Sequence, residues 1–334
     1  LSASEVTSLY KENSLVASYR FEGNVEDDRR TYNGTATNLS YDYALGFTPD
    51  LVWTKRRNEG ADHNITDSTR GVRHGLNPNT TAVEGDQDPY GVLSFDSGGF
   101  TVSDNAGGGA SVNGEDDDYV SWCWRANGGT TSSNTDGAIT TTVQANQDAG
   151  FSIVSYTATG STATVGHGLS KAPDLIISKV RNQTYDWIVY SSILGEDTQL
   201  SLHNNSAAQS SSSIMNGVAP TSSVFTAGGS NNMNYNSGNT LITYCWHSVD
   251  GYSKIGSYIG NGDAYGPIVE TGFEPAFLML KRTANAGSWA MIDNKRTTAN
   301  PRNLELFANL GDADNSFTAV DFLSNGFQII NTSN

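Results

Sequence analysis

Two stretches of this chain, Asp67-Ser-Thr-Arg70 and Asp293-Asn-Lys-Arg296, place an acid three residues before an arginine. The spacing suits an ion pair presented to a ligand. It equally suits a turn locked by the Asp side chain, with the arginine paired or solvated, and that is the commoner use. Glu115-Asp-Asp-Asp118 and Asp312-Ala-Asp314-Asn-Ser316 gather hard oxygen donors in the manner of calcium loops. The second has Phe317 where the sharp turn needs glycine and no glutamate at the twelfth position, so both read as solvated acidic loops. Calcium stays open only because loops of β-sandwiches can collect oxygens from segments far apart in sequence.

Phe95-Asp-Ser-Gly-Gly-Phe100 contains a fragment reminiscent of a serine-protease nucleophile, but Ser97 has no Gly-x-Ser-x-Gly elbow and no convincing histidine partner. The five histidines, His63, His74, His167, His203 and His247, form no His-x-His or His-x-x-x-His pair. Cys123 and Cys245 sit between aromatics, as buried small hydrophobes would. Trp187, Trp289, Tyr90 and Tyr265 could stack on sugar rings, although strand alternation puts most tryptophans on core faces. No catalytic or metal-ligating residue is assigned on these grounds, no cofactor is expected, and ligand-binding residues stay unassigned.

The elements that must position these groups are read from pattern. Short alternating runs such as Phe151–Tyr156, Asp174–Lys179, Asp186–Tyr190 and Thr240–Trp246 are separated by Gly, Asn and Ser clusters, which is a strand-and-turn grammar. Helical spacing occurs once, where Ser2 and Glu5 form a capping box ahead of Val6, Leu9 and Tyr10. The expected class is all-β, with one short N-terminal helix.

Self-similarity organises the rest. Gly46-Phe-Thr-Pro-Asp-Leu-Val-Trp-Thr-Lys-Arg56, Gly168-Leu-Ser-Lys-Ala-Pro-Asp-Leu-Ile-Ile-Ser-Lys179 and Gly272-Phe-Glu-Pro-Ala-Phe-Leu-Met-Leu-Lys-Arg282 match one another, with prolines and lysines at offsets of 124 and 102. The same offsets relate His63, Trp187 and Trp289, and then Asp67, Ser191 and Asp293. Because the middle copy has Ser191 and Leu194, the acid–arginine pair is not general to the repeat. Phe322-Leu-Ser-Asn-Gly-Phe327 mirrors the Phe95 motif, so what recurs is a turn between aromatics and not a nucleophile. Trp122-Cys-Trp124 mirrors Tyr244-Cys-Trp246.

The expected layout is an opening segment over 1–44, a first sandwich unit over 45–127, a linker strand with the second unit over 128–253, and a third unit over 254–334. The third lacks a counterpart of the Cys-Trp strand, which is expected either from further chain or from a neighbouring subunit.

Composition excludes some partners. With 19 basic and 35 acidic side chains the net charge is −16, the wrong sign for binding nucleic-acid phosphates. Residues 1–125 hold 20 of the acids and 10 of the bases, so the surplus is concentrated at one end. No apolar run reaches the ~18–20 residues of a helical membrane span, and membrane insertion is not expected. Two cysteines provide neither a disulfide framework nor a cysteine zinc site.

Leu1-Ser-Ala-Ser-Glu-Val-Thr-Ser-Leu-Tyr10 resembles the closing helix of a laminin-G-like, concanavalin-type jelly roll, and Leu15–Asn24 with Tyr32–Thr37 resembles the start of another. From Gly46 onward the chain resembles repeat domains of large structural proteins in marine tailed phages. Phe47–Trp53, Phe151–Tyr156, Val165–Leu169, Val249–Lys254 and Asp321–Phe327 carry that likeness. The resemblance implies a non-enzymatic virion protein, a tail-fibre or capsid-appendage segment at the virion surface. Its implied partners are other copies of itself, other virion proteins and host surface glycans. Two alternatives stand beside it: a polysaccharide-degrading virion enzyme, and a secreted bacterial adhesin or carbohydrate-binding module. The short laminin-G-like portion and the cut last repeat imply a segment of a longer fibre.

Overall fold

A computed structural model describes residues 45–103, 112–316 and 320–330, and every regular element among them is a β-strand. The expected N-terminal helix and the laminin-G-like segment lie outside the described residues.

The first unit contains β1 (Leu51–Arg56), β2 (Asn64–Asp67), β3 (His74–Gly75), β4 (Gly85–Asp86), β5 (Val92–Asp96), β6 (Gly99–Val102) and β7 (Tyr119–Trp124). The second begins with β8 (Ser132–Asn134) and β9 (Thr141–Asn146), so the Gly/Ser/Thr-rich linker does become sheet. It continues through β10 (Phe151–Thr157), β11 (Ala163–Gly166), β12 (Leu175–Val180), β13 (Ile188–Ser191) and β14 (Thr198–Ser201). It closes with β15 (Gln209–Ser210), β16 (Val224–Ala227) and β17 (Thr240–Trp246). The third holds β18 (Ile268–Glu270), β19 (Phe277–Lys281), β20 (Trp289–Asp293), β21 (Leu306–Phe307), β22 (Val320–Leu323) and β23 (Gly326–Ile329).

Each unit has one main antiparallel sheet: β2-β1-β7, β15-β14-β13-β12-β17-β10-β9-β8, and β19-β20-β21. A smaller layer covers one face of each. The β5–β6 hairpin does so over Val52, Val92 and Cys123, and β11–β16 over Val154, Ile176 and Phe225. The β18-β23-β22 sheet does so over Ile292, Phe322 and Phe327. These pairs are the β-sandwiches the pattern implied.

The opposite faces of all three main sheets meet in one shared core. Leu51, Trp53 and Trp122 come from the first unit, Phe151, Ile177, Trp187 and Tyr244 from the second, and Trp289, Met291 and Leu306 from the third. Both faces of a main strand are therefore covered, which is why β1, β7, β12 and β17 are buried almost throughout and do not alternate. Three units around a common core also suit a chain with few charges. Apolar area is buried between units as well as within them, each fully buried large side chain being worth about 1.5–3 kcal/mol.

Candidate functional site

The recurring polar motifs come to lie where one unit meets the next. Asp67 ends β2, and its Oδ1 accepts the backbone N–H groups of Thr69 (3.1 Å) and Arg70 (2.9 Å), locking the turn. Its Oδ2 accepts the Arg70 Nε–H and, from the second unit, the Tyr244 hydroxyl at 2.8 Å. Arg70 is buried and also donates to the Ile65 carbonyl (2.9 Å), the His74 carbonyl (2.9 Å) and Glu84 Oε2 (2.8 Å). Glu84 in turn takes a bidentate pair from Arg181 of the second unit, Nε at 2.9 Å and Nη2 at 2.7 Å.

Burial opposes the Arg70 charge, yet Asp67 and Glu84 outweigh it and raise its pKa. Burial likewise pushes the Glu84 carboxyl up, but hydrogen bonds and charge from Arg181 and Arg70 leave it below its ordinary 4.5.

The third unit repeats this clamp against the first. Asp293 Oδ1 accepts the N–H groups of Lys295 (2.9 Å) and Arg296 (2.8 Å), while Oδ2 accepts Arg296 Nε at 2.7 Å and Trp122 Nε1 at 3.3 Å. Arg296 Nη1 reaches Asp314 Oδ1 (2.8 Å), whose other oxygen takes Arg57 Nε (2.8 Å). The Arg296 guanidinium lies over the Trp122 ring at 5.6 Å.

Between the second and third units the ionic groups are replaced. Ser191, Leu194, Ala208 and Thr283 occupy the places of Asp67, Arg70, Glu84 and Arg181 at the same offsets. The backbone join is kept: Ala208 N–H donates to the Thr283 carbonyl at 2.8 Å, as Glu84 does to Arg181 (2.8 Å) and Asp314 to Arg57 (2.7 Å).

A second set of bonds closes the ring of units. Trp187 Nε1 donates to the Asn77 carbonyl (3.0 Å), and Trp289 Nε1 to the Ser201 carbonyl (2.9 Å). His63, the third member of that series, bonds the Phe307 carbonyl through Nε2 at 3.0 Å. Its Nδ1 accepts the Trp53 indole N–H at 2.9 Å, and an indole can only donate, so the proton of the neutral ring sits on Nε2. Second joins first, third joins second, and first joins third. His63 is fully buried, and burial with the neighbouring Lys55 charge pulls its pKa down to about 3.

Lys55, Lys179 and Lys281 end the inner faces of β1, β12 and β19 and donate to the carbonyls of Arg56 (2.6 Å), Val180 (2.7 Å) and Gly287 (2.6 Å). Burial lowers each ammonium to about 8.

The other candidates disperse. Asp314 is committed to the two arginines, and Asp117 accepts Arg56 Nη1 at 2.9 Å. Among the described residues no group of three or more His, Cys, Asp or Glu is placed to hold a metal ion. Ser97 sits exposed in the β5–β6 turn, where Phe95 pairs with Phe100, as Phe322 pairs with Phe327 between β22 and β23. In the second unit Phe225 lies instead in β16, paired with β11.

Cys123 and Cys245 are free thiols buried in different sandwich cores. Trp187 and Trp289 are buried, while Tyr265 is 74 % exposed. A shallow polar depression of about 420 Å³ lies between the chain after β7 and the β9–β10 turn, lined by Arg125, Asn127, Asn146, Gln147 and Asp148.

Sequence reading had the locked turn and the paired arginine. It missed Glu84, Arg181, Arg57 and the role of Asp314, although the match of Arg57 to Arg181 at the 124-residue offset was a usable signal for the two arginines.

These features define an all-β protein of three repeated sandwich units joined through a shared core. Residues 27–334 match the family described as a domain of unknown function, DUF7483, and the chain belongs to that family. No curated protein and no solved structure matches it.

Proposed function

We propose that the chain is a non-enzymatic structural protein, a segment of a phage tail fibre or capsid appendage exposed at the virion surface. The observation that carries this reading is the use made of the recurring charged motifs. Asp67, Arg70, Glu84 and Arg181, and again Asp293, Arg296, Asp314 and Arg57, are spent on holding one unit to the next. Carboxylates committed to buried arginines are poor proton donors and poor cation ligands, whereas they fix unit orientation. The resemblance to repeat domains of marine phage structural proteins supplies the virion setting. In that setting the units cluster around an axis, and the loops at their rims face host glycans or neighbouring virion proteins.

Mass spectrometry of purified particles tests the reading: the chain is expected at stoichiometric copy number. Its absence from particles overturns the virion assignment in favour of a secreted adhesin. Release of new reducing or unsaturated ends from host polysaccharide would establish an enzyme instead.

A further inference from the structure

The rim at one end of the second unit differs from the rest of this acidic chain. Three connections converge there: 158–162 between β10 and β11, 182–185 between β12 and β13, and 228–239 between β16 and β17. Gly229 N–H donates to Thr162 Oγ1 (3.2 Å), Thr159 N–H to Asn234 Oδ1 (2.8 Å), and Asn236 Nδ2 to the Tyr185 hydroxyl (3.1 Å). Although the chain carries a net charge of −16, none of the three connections contains an acidic, basic or histidine residue. Their aromatic residues are Tyr185 and Tyr235, with ring centroids 6.1 Å apart and planes at 77°.

Tyr235 is 41 % exposed, yet its backbone is pinned on both sides. The Met233 carbonyl accepts the Tyr156 hydroxyl (2.6 Å), the Tyr235 carbonyl accepts Asn239 Nδ2 (2.8 Å), and Gly238 N–H donates to the Ala158 carbonyl (3.0 Å). Asn236 takes a φ of +58°, a left-handed conformation that asparagine tolerates. A ring presented this way loses little freedom when it is covered. The repeat does not require it. Asn182 Oδ1 accepts Thr240 N–H (3.0 Å) as Asn58 Oδ1 accepts Asp118 N–H (3.3 Å), so that joint is common to two units. Tyr185, however, has Ala61 and Gly287 as its counterparts at offsets of 124 and 102. Tyr235 falls at Asn113, counting back from the matched Trp246 and Trp124. Ala61 and Gly287 donate their N–H groups to the next unit, at the Gly311 and Asn205 carbonyls (2.7 and 2.8 Å). Tyr185 N–H instead bonds the Gln183 carbonyl of its own turn (3.0 Å).

We propose that this rim binds an uncharged saccharide, with Tyr235 as the stacking platform and Tyr185 beside it. A pyranose ring presents an apolar C–H face and an edge of hydroxyls. The face packs on the tyrosine ring, whose own face is electron-rich. The hydroxyls need neutral donors and acceptors at the platform's edge, and the exposed amides of Gln183 and Asn236 and hydroxyls of Thr184 and Ser237 supply both. The Tyr185 hydroxyl accepts from Asn236 and keeps its own proton to donate. An anionic sugar finds no cation on these connections. A protein partner calls for apolar anchors and charges around the rings, whereas Ala158 and Met233 here are buried. The site deepens the host-glycan part of the proposed function and rests on that reading for its biological setting. Sugar binding by the purified chain is measured separately from the presence of the chain in particles.

The probes are neutral hexasaccharides of glucose, mannose, galactose and N-acetylglucosamine, with hyaluronan and chondroitin sulfate as anionic controls. Calorimetry on the intact chain is expected to show saturable binding of at least one neutral sugar, with slowed amide exchange in 182–185 and 228–239. Tyr235→Ala is expected to weaken that binding about tenfold or more, and Tyr265→Ala, at an exposed tyrosine elsewhere, to leave it unchanged. Gln183→Ala changes only an exposed side chain and is expected to weaken binding about threefold, so a folded variant is available even if Tyr235→Ala unfolds. Absence of saturable binding across the neutral panel overturns the proposal. So does binding that survives Tyr235→Ala in a folded variant, or tighter binding of the anionic controls. Self-association that Tyr235→Ala abolishes, with no sugar bound, makes the rim a protein contact and likewise overturns it. Sugar binding by a chain missing from particles leaves the site standing and removes the virion assignment alone.

Discussion

Replacing His63 and its partner by the residues of the second unit should remove an acid sensitivity from the fold. In the native chain His63 is neutral, wedged between the Trp53 indole and the Phe307 carbonyl. Its pKa falls from 6.5 to about 3, chiefly through burial. A histidine depressed in the fold leaves stability intact above the unfolded value of 6.5. That stability is lost as pH falls toward 3, because only the unfolded chain takes up the proton. At 1.36 kcal/mol per unit, the loss is about 2 kcal/mol at pH 5 and somewhat over 3 kcal/mol at pH 4.

In the second unit Trp187 and Ile177 stand where the first has His63 and Trp53. The double variant His63→Trp with Trp53→Ile keeps the bond to the Phe307 carbonyl and roughly conserves volume. His63→Trp alone crowds a tryptophan against Trp53, whose ring lies 5.9 Å from the imidazole, at a cost of about 1–3 kcal/mol. Urea unfolding at pH 7.5 and pH 5 provides the assay. The wild type should lose about 2 kcal/mol more than the double variant between these two pH values. Equal losses would show that His63 titrates normally and that the buried neutral tautomer is wrong.

Three further outcomes follow from the interfaces and turns. Arg70→Leu leaves Asp67 buried without its cation and should cost about 3–5 kcal/mol. The combined Asp67→Ser, Arg70→Leu, Glu84→Ala and Arg181→Thr variant, which copies the neutral third interface, should fall within about 1–2 kcal/mol of wild type in the same urea assay. Asp50→Ala removes a buried carboxylate that accepts the N–H groups of Ala126 (2.7 Å), Gly128 (2.8 Å) and Gly129 (2.6 Å). It should cost about 3 kcal/mol or more and speed amide exchange at those residues. Gly326→Ala would put a Cβ 2.0 Å from the Val269 carbonyl oxygen, so the β18–β23 pairing should open, read as faster exchange of amides in Ile268–Glu270.

The class of the fold was legible because strand alternation and turn chemistry are local. The repeat was legible because three copies of one strand keep their proline and lysine in step. The turn-locking roles of Asp67 and Asp293 were legible for the same reason, since an Asp side chain reaches N–H groups two and three residues on. Glu84 and Asp314 were not. Each meets its second arginine across a boundary between units, and nothing near either acid announces a partner that lies 97 residues later for Glu84 and 257 residues earlier for Asp314.

By itself, then, the amino-acid order determined an acidic all-β chain of three related units, with cysteines that belong in separate cores. Only the tertiary structure decided that the units share an additional core and join in a ring. It also decided that two of their three junctions are ionic. The physical reason is that a strand's pattern records which of its faces are apolar, but not what those faces are packed against. That depends on which distant surfaces come together, and here both faces of each main sheet find a partner.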